Sequence, residues 1–212
     1  MGVFLATDFC LDRNSRNATH GRSPLALLTP QQRESLHPAI RKRFSNETPR
    51  TYEGEAWLHA NTAGRLMAWL CILIGRPLPT SRGHLQARIQ LKPGRAGMTW
   101  MRDYIRTDGA VEHVRSTKRI AADNRLLECA RLVAMRLFLS VEGGALVFTS
   151  DAFLLDLGCR QLRLPDWLTP GHIRVVHRAL DDHRFEFHLT SDHAWFGRVF
   201  DQRVVCTDPK EG

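Results

Sequence analysis

Met98-Thr-Trp-Met-Arg-Asp-Tyr-Ile-Arg106 is the stretch from which the fold of this chain is best predicted. Side chains on a β-strand alternate between two faces. In this stretch one face combines large apolar groups with guanidinium groups: Met98, Trp100, Arg102, Tyr104 and Arg106. A strand face of that composition can line a pocket for a ligand with both an apolar and an anionic part.

The segments on either side of this stretch also predict strands. Residues 84–92 alternate strictly, and Lys92-Pro-Gly94 and Thr107-Asp-Gly109 supply turns before and after the stretch. Residues 126–141 are long enough for one bent strand or two, and residues 153–163 predict two short strands around Gly158. The other predicted strands are 52–59, 111–120, 145–150, 172–180, 184–190 and 195–206.

Two helices are predicted ahead of the main run of strands. Thr29 followed by Pro30 gives an N-cap and a proline at the first helical position, which predicts a short helix. Asn61 caps a longer helix that ends at Gly75. We expect the apolar residues of this second helix to pack in the core: Ala63, Leu66, Met67, Leu70, Leu73 and Ile74.

The order of these elements predicts an α+β protein that is mostly β. About nine or ten antiparallel strands in a meander would close into a barrel or a curved half-barrel, with one helix after the first strand and a short N-terminal helix. The alternative is a two-layer fold in which an open sheet wraps on the 61–74 helix. Residues 1–28 show no sustained period, so we expect a loosely ordered extension there, a single β-rich domain over 29–206 and a tail over 207–212.

The composition limits the classes of function. With 43% hydrophobic and 25% charged residues, the 212-residue chain is typical of a soluble globular protein, and no apolar run approaches the roughly 20 residues of a membrane helix. The first residues lack the basic segment of a signal peptide, which favours a cytoplasmic location. The formal charge of +8 is spread along the chain, and Arg41-Lys42-Arg43 is the one tight basic cluster, so nucleic acid is not the expected partner.

The chain contains none of the sequence patterns that commonly mark metals, cofactors or nucleophiles. Its five cysteines are far apart and form no CxxC pair, so we expect reduced thiols. The histidines do not occur at ligand spacing, which predicts no metal site. Neither GxGxxG, a phosphate loop nor a nucleophile elbow is present, so no cofactor is predicted and a self-contained hydrolase, kinase or dehydrogenase is disfavoured.

The predicted pocket strand supplies the first candidate site residues. Arg102 and Arg106 suit carboxylate or phosphate recognition because the guanidinium forms a planar fork. Trp100 and Tyr104 would contact the apolar part of the ligand, and His177 is a further ligand-binding candidate. The alternative is that this face lies outside the barrel, where Arg stems cover Trp100.

Acidic and histidine side chains supply the catalytic candidates. Glu128 has apolar neighbours that would raise its pKa and suit it to proton transfer, although a salt bridge to Arg102 or Arg131 is the alternative. Glu186 and His188 share a strand face and could form an acid–base pair. Whether His177 joins that pair depends on the hairpin register.

Several short motifs also occur in a recognisable order. They are Leu36-His-Pro-Ala-Ile-Arg-Lys-Arg-Phe44, the 66–74 helix with Gly75-Arg-Pro-Leu-Pro79, Trp100-Met-Arg102, Glu128, Val141-Glu-Gly-Gly-Ala145, Leu164-Pro-Asp-Trp-Leu-Thr-Pro170, Arg184-Phe-Glu-Phe187 and Trp195-Phe-Gly197. Together they resemble an uncharacterised family of bacterial domains of unknown function, whose members occur alone or fused behind a saccharopine-dehydrogenase-like oxidoreductase domain.

The resemblance has implications for the site and for partners. It places the family's tryptophan-x-arginine pair on Trp100 and Arg102 and its acidic residue on Glu128, and it implies work on small molecules beside an oxidoreductase partner. The chain departs from the family pattern at His177, where an acidic residue is usual, and near Phe200, where a tyrosine is usual.

The leading functional prediction is a cytoplasmic β-rich domain whose cavity binds an apolar or amphipathic small molecule. Trp100 and Arg102 would orient the ligand, and Glu128 would act as general acid or base if the domain is catalytic. One alternative is a small cofactor-free enzyme of secondary metabolism, of the isomerase or cyclase type, that uses Glu128 or the Glu186/His188 pair. The other is a basic module that binds nucleic acid or a protein partner.

Overall fold

The computed structural model describes residues 23–45, 48–74, 77–95, 97–156 and 161–208. The strands in these ranges are β1 Arg50–Ala60, β2 Gly83–Gly94, β3 Gly97–Ile105, β4 Val111–Ile120, β5 Leu126–Ala130, β6 Val133–Glu142, β7 Ala145–Asp156, β8 Gln161–Arg163, β9 His172–Ala179, β10 Arg184–His193 and β11 Gly197–Thr207. The helices are α1 Pro30–Ser35, α2 Pro38–Ser45 and α3 Thr62–Leu70, and 3-10 turns span Pro24–Leu27, Cys71–Ile74 and Asp166–Leu168.

Ten of these strands form a closed antiparallel barrel. Within the ring, β1 to β7 pair in order of sequence, and β7 then pairs with β9. β9 pairs with β10, and β10 pairs with β11. The barrel closes where β11 pairs with β1, so that Glu53 lies opposite Thr207. β8 pairs with β7 beside this ring. The predicted mostly β meander is confirmed in its closed form, and the open sheet wrapped on a helix is wrong.

The N-terminal helices close one end of the barrel. Ile40 and Phe44 of α2 are buried, and the Phe44 ring lies 6.0 Å from the rings of both Trp100 and Phe148 inside the barrel. Thr29 and Pro30 begin α1 as predicted, with a capping box to Gln32. This end therefore has an apolar plug.

Arg43 fixes the plug to the last described strand. Its guanidinium donates to both carboxylate oxygens of Asp208, at 2.9 and 2.8 Å, and stacks 3.8 Å over the Phe185 ring. A bidentate, buried arginine of this kind is held by geometry as well as by charge. The contact joins residues that are 165 positions apart in the sequence.

Helix α3 lies at the opposite end, because β1 crosses the barrel between α2 and α3. Asn61 caps it as predicted, with Oδ1 accepting from the Gly64 amide at 2.8 Å. The buried face consists of Gly64 and Ala68, and a Cβ on Gly64 would lie 2.2 Å from the Val199 carbonyl oxygen. The barrel and α3 are thus too close for large side chains. The prediction that the large apolar residues of this segment pack in the core is wrong for three of them. Leu66 is 59% exposed, Leu70 is 49% exposed and Leu73 is 74% exposed.

The remaining differences from the sequence-based expectations concern element boundaries. Residues 126–141 form two strands, β5 and β6, with Arg131 at a φ of 48° between them. β7 continues to Asp156, and β11 begins at Gly197 rather than at residue 195. Of the predicted N-terminal extension, residues 23–28 contain a 3-10 turn with Leu25 and Leu28 buried, and residues 1–22 lie outside the described residues. Gly75 and Gly158 also lie outside them.

The described ranges also bear on membrane spans, metal sites and thiols. No helix there is long and apolar enough to cross a membrane. No group of three or more metal-ligating side chains occurs in the same ranges. Cys71 and Cys206 are free thiols, and burial raises the pKa of Cys206 to about 12.

Candidate ligand-binding site

The barrel contains a cavity of about 110 Å³. Its mouth lies between the Cys71–Ile74 turn and the connector 164–170, at the end away from the N-terminal plug. Most of its wall is apolar, formed by residues such as Val133, Met135, Phe153, Ile173, Val175 and Leu189. Polar side chains interrupt this wall, and three successive strands supply four of them: Arg102, Ser116, Lys118 and Glu128.

These four side chains form one connected cluster. Arg102 Nη2 donates to Ser116 Oγ at 2.8 Å, and Ser116 Oγ donates to Glu128 Oε1 at 2.6 Å. Lys118 Nζ lies 2.8 Å from Glu128 Oε2, and Arg102 Nη2 lies 3.8 Å from Glu128 Oε1. One buried carboxylate is therefore shared by two buried cations.

The register of β3, β4 and β5 brings the cluster together. Lys118 lies directly opposite Glu128, and Ser116 lies opposite Trp100, one inward position from Arg102. Alternate residues of β4 face the interior, which gives Ser116 and Lys118 the same orientation. A shift of one residue in either pairing would turn these groups outward.

The cations hold Glu128 in its ionised form. Burial by itself would raise the pKa of Glu128, but the charges of Lys118 and Arg102 and the hydrogen bond from Ser116 outweigh it and lower the pKa to about 2. The predicted rise in this pKa is therefore wrong, although burial acts in the predicted direction. A carboxyl with a pKa of about 2 is poorly matched to proton transfer near neutral pH. The predicted salt bridge to Arg102 is present, with Lys118 as the closer partner.

Lys118 is buried among rings as well as beside the carboxylate. Its Nζ lies 4.9 Å from the centroid of the Trp100 ring and 5.5 Å from that of Phe148. Burial lowers the pKa of Lys118 below its ordinary value, while Glu128 acts in the opposite direction. Burial therefore opposes the charge of Lys118, while Glu128 supports it.

The cluster carries unbalanced charge and unused donors. Arg102 and Lys118 bring two positive charges against the single negative charge of Glu128. Arg102 Nε and Trp100 Nε1 are buried and lack a hydrogen-bond partner in the described part of the chain. Unpaired buried donors are uncommon in native proteins and call for a ligand or water.

His177 lies inside the barrel against the plug. Its ring contacts four aromatic rings with centroid distances of 5.0 to 5.5 Å, those of Phe44, Trp100, Phe148 and Phe187. Burial, and then the charges of Lys118 and Arg43, lower its pKa well below 6.5, so the imidazole is neutral. Neither ring nitrogen has a hydrogen-bond partner among the described residues.

The other ligand-binding candidates lie in different parts of the structure. Tyr104 is fully buried inside the barrel, where its hydroxyl accepts from Gln202 Nε2 and burial raises its pKa to about 12. Neither Trp100 nor Tyr104 is among the described residues that line the cavity. Arg106 follows the end of β3 and forms an exposed ion pair with Asp108 at 2.7 Å.

Glu186 and His188 lie on the outer face of β10, because Phe185, Phe187 and Leu189 occupy its inner face. The Glu186 carboxylate is held by Arg178 and Arg203, and His188 Nε2 lies 2.9 Å from Asp201 Oδ1. These two candidates therefore do not meet the cavity, and His177, which faces inward, does not join them.

The part of the chain that carries this site also matches a known protein family. Residues 36–204 match the family described as domain of unknown function (DUF4166). The chain belongs to the DUF4166 family. The matched range includes the whole polar cluster and His177, and the expected resemblance to a family of domains of unknown function is confirmed at that level.

The other two comparisons add little about this DUF4166 domain. No curated protein matches the chain. Among solved structures it is similar to the crystal structure of Rv2717c from M. tuberculosis, with 12% sequence identity, a TM-score of 0.43 and coverage of 82% of this chain and 99% of that chain.

Two members of the DUF4166 cavity cluster were missed by sequence reasoning. Ser116 and Lys118 are on β4, whose alternation places Glu112, Val114, Ser116, Lys118 and Ile120 on one face. A lysine on that face, one strand away from Glu128, was the available signal. Glu112 shares the face, but its carboxylate accepts from Thr80 and Ser81 near the mouth.

Proposed function

We propose that this DUF4166 protein binds a small amphipathic acid inside its barrel. The anionic group of the ligand would contact Arg102 and Lys118, and its apolar part would lie along the cavity wall. The observation that carries the proposal is the buried cluster of two cations around one carboxylate. Excess positive charge in an apolar interior is costly, and a ligand anion would compensate it.

The size of the cavity limits the ligand. About 110 Å³ is somewhat less than the roughly 150 Å³ of a cavity that accommodates benzene. The enclosed part of the ligand is therefore no larger than one aromatic ring or a short alkyl chain. A longer apolar tail would leave through the mouth between the Cys71–Ile74 turn and Leu168.

Arg102 is the residue best placed to orient the anion. Its Nη2 is engaged with Ser116, whereas its buried Nε has no partner in the described ranges. A guanidinium can serve both partners through its fork of donors. Trp100 would act through Lys118, whose ammonium it faces, rather than by touching the ligand.

The test uses paired probes that differ in charge. Hexanoate and benzoate, and their uncharged counterparts hexanamide and benzamide, are titrated into the full chain by calorimetry. We expect each acid to bind about tenfold or more tightly than its amide, since a charge-assisted contact is stronger than a neutral one. Arg102→Met should remove that preference, and Arg115→Met, on the outer face of β4, is the matched control. Equal binding of acid and amide by the wild type would contradict the proposal.

Native mass spectrometry of gently purified protein gives an independent test. A retained molecule that is extracted and identified as an acid with an apolar body supports the proposal. A retained nucleic acid or polypeptide would instead support the basic-module alternative. That alternative is weakened by the ion pairs of many surface arginines, including Arg88, Arg174, Arg178, Arg184 and Arg198.

A second candidate function, a cofactor-free enzyme, is favoured by Lys118. Burial lowers the pKa of its amine, which raises the share of the unprotonated form, and that form can attack a carbonyl to form an imine with loss of water. Incubation with butanal and then borohydride should label Lys118, as located by peptide mapping. Exposed Lys92 serves as the reference. Equal labelling of the two lysines would remove this candidate.

Two expectations from the sequence are retained as proposals. A cytoplasmic location is tested by fractionation of the native host. An oxidoreductase partner, which the family resemblance implies, is tested by co-purification from that host at low salt. A partner of any other class would contradict the second proposal.

A further inference from the structure

Large apolar side chains are exposed around the mouth of the barrel. They lie on α3 with the following Cys71–Ile74 turn, on the Asp166–Leu168 turn, and on the turn between β10 and β11. We call six of them, each between 49 and 74% exposed, the apolar rim: Trp69, Leu70, Leu73, Trp167, Leu168 and Trp195.

Contacts between these elements show that the rim is continuous. Leu168 and Ile74 line the same cavity mouth. His193 Nε2 lies 3.4 Å from the Trp167 carbonyl oxygen, and its ring lies 5.9 Å from the Trp195 ring. The residue after Trp195 accepts through its carbonyl from Asn61 Nδ2 at 2.9 Å, which joins this turn to the start of α3.

Folding alone does not explain the rim. The face of α3 that packs on the barrel is made of Gly64 and Ala68, and the larger apolar residues of the helix point away from it. An amphipathic helix that served only the core would have the opposite arrangement. Contiguous exposed apolar surface on a protein marks a binding surface.

The charge near the rim indicates which surface it contacts. Arg65 lies on α3 and Arg82 precedes β2 at the same end of the barrel, and both are exposed without an acidic partner in the described ranges. The chain as a whole carries a formal charge of +8. Tryptophan and leucine flanked by arginine match the interface of a bilayer that contains anionic lipid.

We propose that the apolar rim docks the mouth of the barrel onto an anionic lipid bilayer. The three tryptophans would enter the interfacial region, and Arg65 and Arg82 would contact lipid phosphates. Docking in this orientation places the cavity mouth against the bilayer. The proposal does not depend on the identity of the cavity ligand.

The experiment is flotation of the full chain with vesicles of phosphatidylcholine, alone or with about 30 mol % phosphatidylserine. We expect flotation with the anionic vesicles and little with the neutral ones. The triple variant Trp69→Ser/Trp167→Ser/Trp195→Ser should reduce the bound fraction about tenfold or more, because binding scales with buried apolar area. Phe138→Ser, at a 62% exposed position on the outer face of β6, is the matched control.

Charge and insertion are tested separately. Arg65→Glu/Arg82→Glu should reduce binding to the anionic vesicles by about tenfold or more. Brominated phosphatidylcholine should quench wild-type tryptophan fluorescence, and the triple variant, which keeps Trp57 and Trp100, should lose most of that quenching.

Three outcomes would overturn docking. In the first, the wild type does not float with either kind of vesicle. In the second, the triple variant floats at the wild-type level. In the third, neither protein floats, and the wild type self-associates in sedimentation whereas the triple variant does not. The last outcome would identify the rim as a protein interface. Arg102→Met should float like the wild type, which separates failure of docking from failure of the ligand proposal.

Discussion

Replacing Glu128 by glutamine tests the electrostatics of the cavity most directly. The substitution keeps the shape of the side chain but leaves Lys118 and Arg102 without their shared carboxylate. The pKa of Glu128 falls from 4.5 to about 2 in the folded protein, which corresponds to about 3 kcal/mol at about 1.36 kcal/mol per pH unit. Breaking a buried ion pair from one side costs about 3 to 5 kcal/mol in other proteins. We therefore expect Glu128→Gln to lower the free energy of unfolding by about 3 kcal/mol at pH 7.

The pH dependence of this cost follows from the sign of the shift. Because the folded pKa lies below the unfolded one, the stabilisation by Glu128 is complete above about pH 4.5 and is lost as the pH falls towards about 2. Urea unfolding, followed by fluorescence and circular dichroism at several pH values, measures it. The curves of wild type and variant should converge at the acid end.

Two control proteins make this result interpretable. Glu142→Gln breaks an ion pair with Arg174 that is largely exposed, so it should cost less than about 1 kcal/mol. Lys118→Met in the Glu128→Gln protein should recover part of the loss, because it removes one of the stranded charges. A cost for Glu128→Gln as small as that for Glu142→Gln, or one that does not change with pH, would refute the reasoning.

Three further substitutions test the packing and the pH dependence of stability. Gly64→Ala should lower the free energy of unfolding in urea by about 2 kcal/mol or more, because its Cβ would lie 2.2 Å from the Val199 carbonyl oxygen. An unchanged midpoint would contradict the close approach of α3. Phe44→Ala should cost about 3 to 5 kcal/mol by emptying the plug, with a loss below about 1 kcal/mol counting against it. The low folded pKa of His177 means that its stabilising effect is present above about pH 6.5 and is lost below it, so His177→Phe should flatten the decline in stability between about pH 6.5 and 5. Identical slopes in wild type and variant over that range would show that His177 is not the group responsible.

The strand pattern was the most predictable part of the fold. The two-residue period of residues 84–92 places Leu85 and Ile89 in the core, as β2 shows. A mainly antiparallel meander with few breaks leaves closure as the simplest way to satisfy its edges. Single-residue detail at the ends of strands could not be predicted, since pairing with neighbours decides where a strand stops.

Helix α3 shows the limit of periodicity. Its apolar residues correctly predicted a helix that begins after Asn61, but they predicted the wrong face against the barrel. That choice depends on the separation between α3 and β11, which the Val199 carbonyl oxygen sets and which no local pattern contains. The small residues Gly64 and Ala68 were the signal of a close approach.

The candidate site was predictable on β3 and β5 and only partly elsewhere. Arg102 and Glu128 were identified by type and position, but the sign of the Glu128 pKa shift depended on Lys118, on the strand between them. Glu186 and His188 alternate with Phe185 and Phe187, so the apolar face of β10 already indicated that the pair points outward.

The order of the strands also bears on how the protein folds. The polar cluster is carried by β3, β4 and β5, three consecutive strands whose pairings are local in the sequence. The seam between β1 and β11, by contrast, joins Glu53 to Thr207. Contacts between distant residues form slowly, so we expect the seam to close after the local hairpins. On that order, Lys118 and Glu128 would meet while still hydrated, and the cost of removing water from them would fall on the final closure of the barrel.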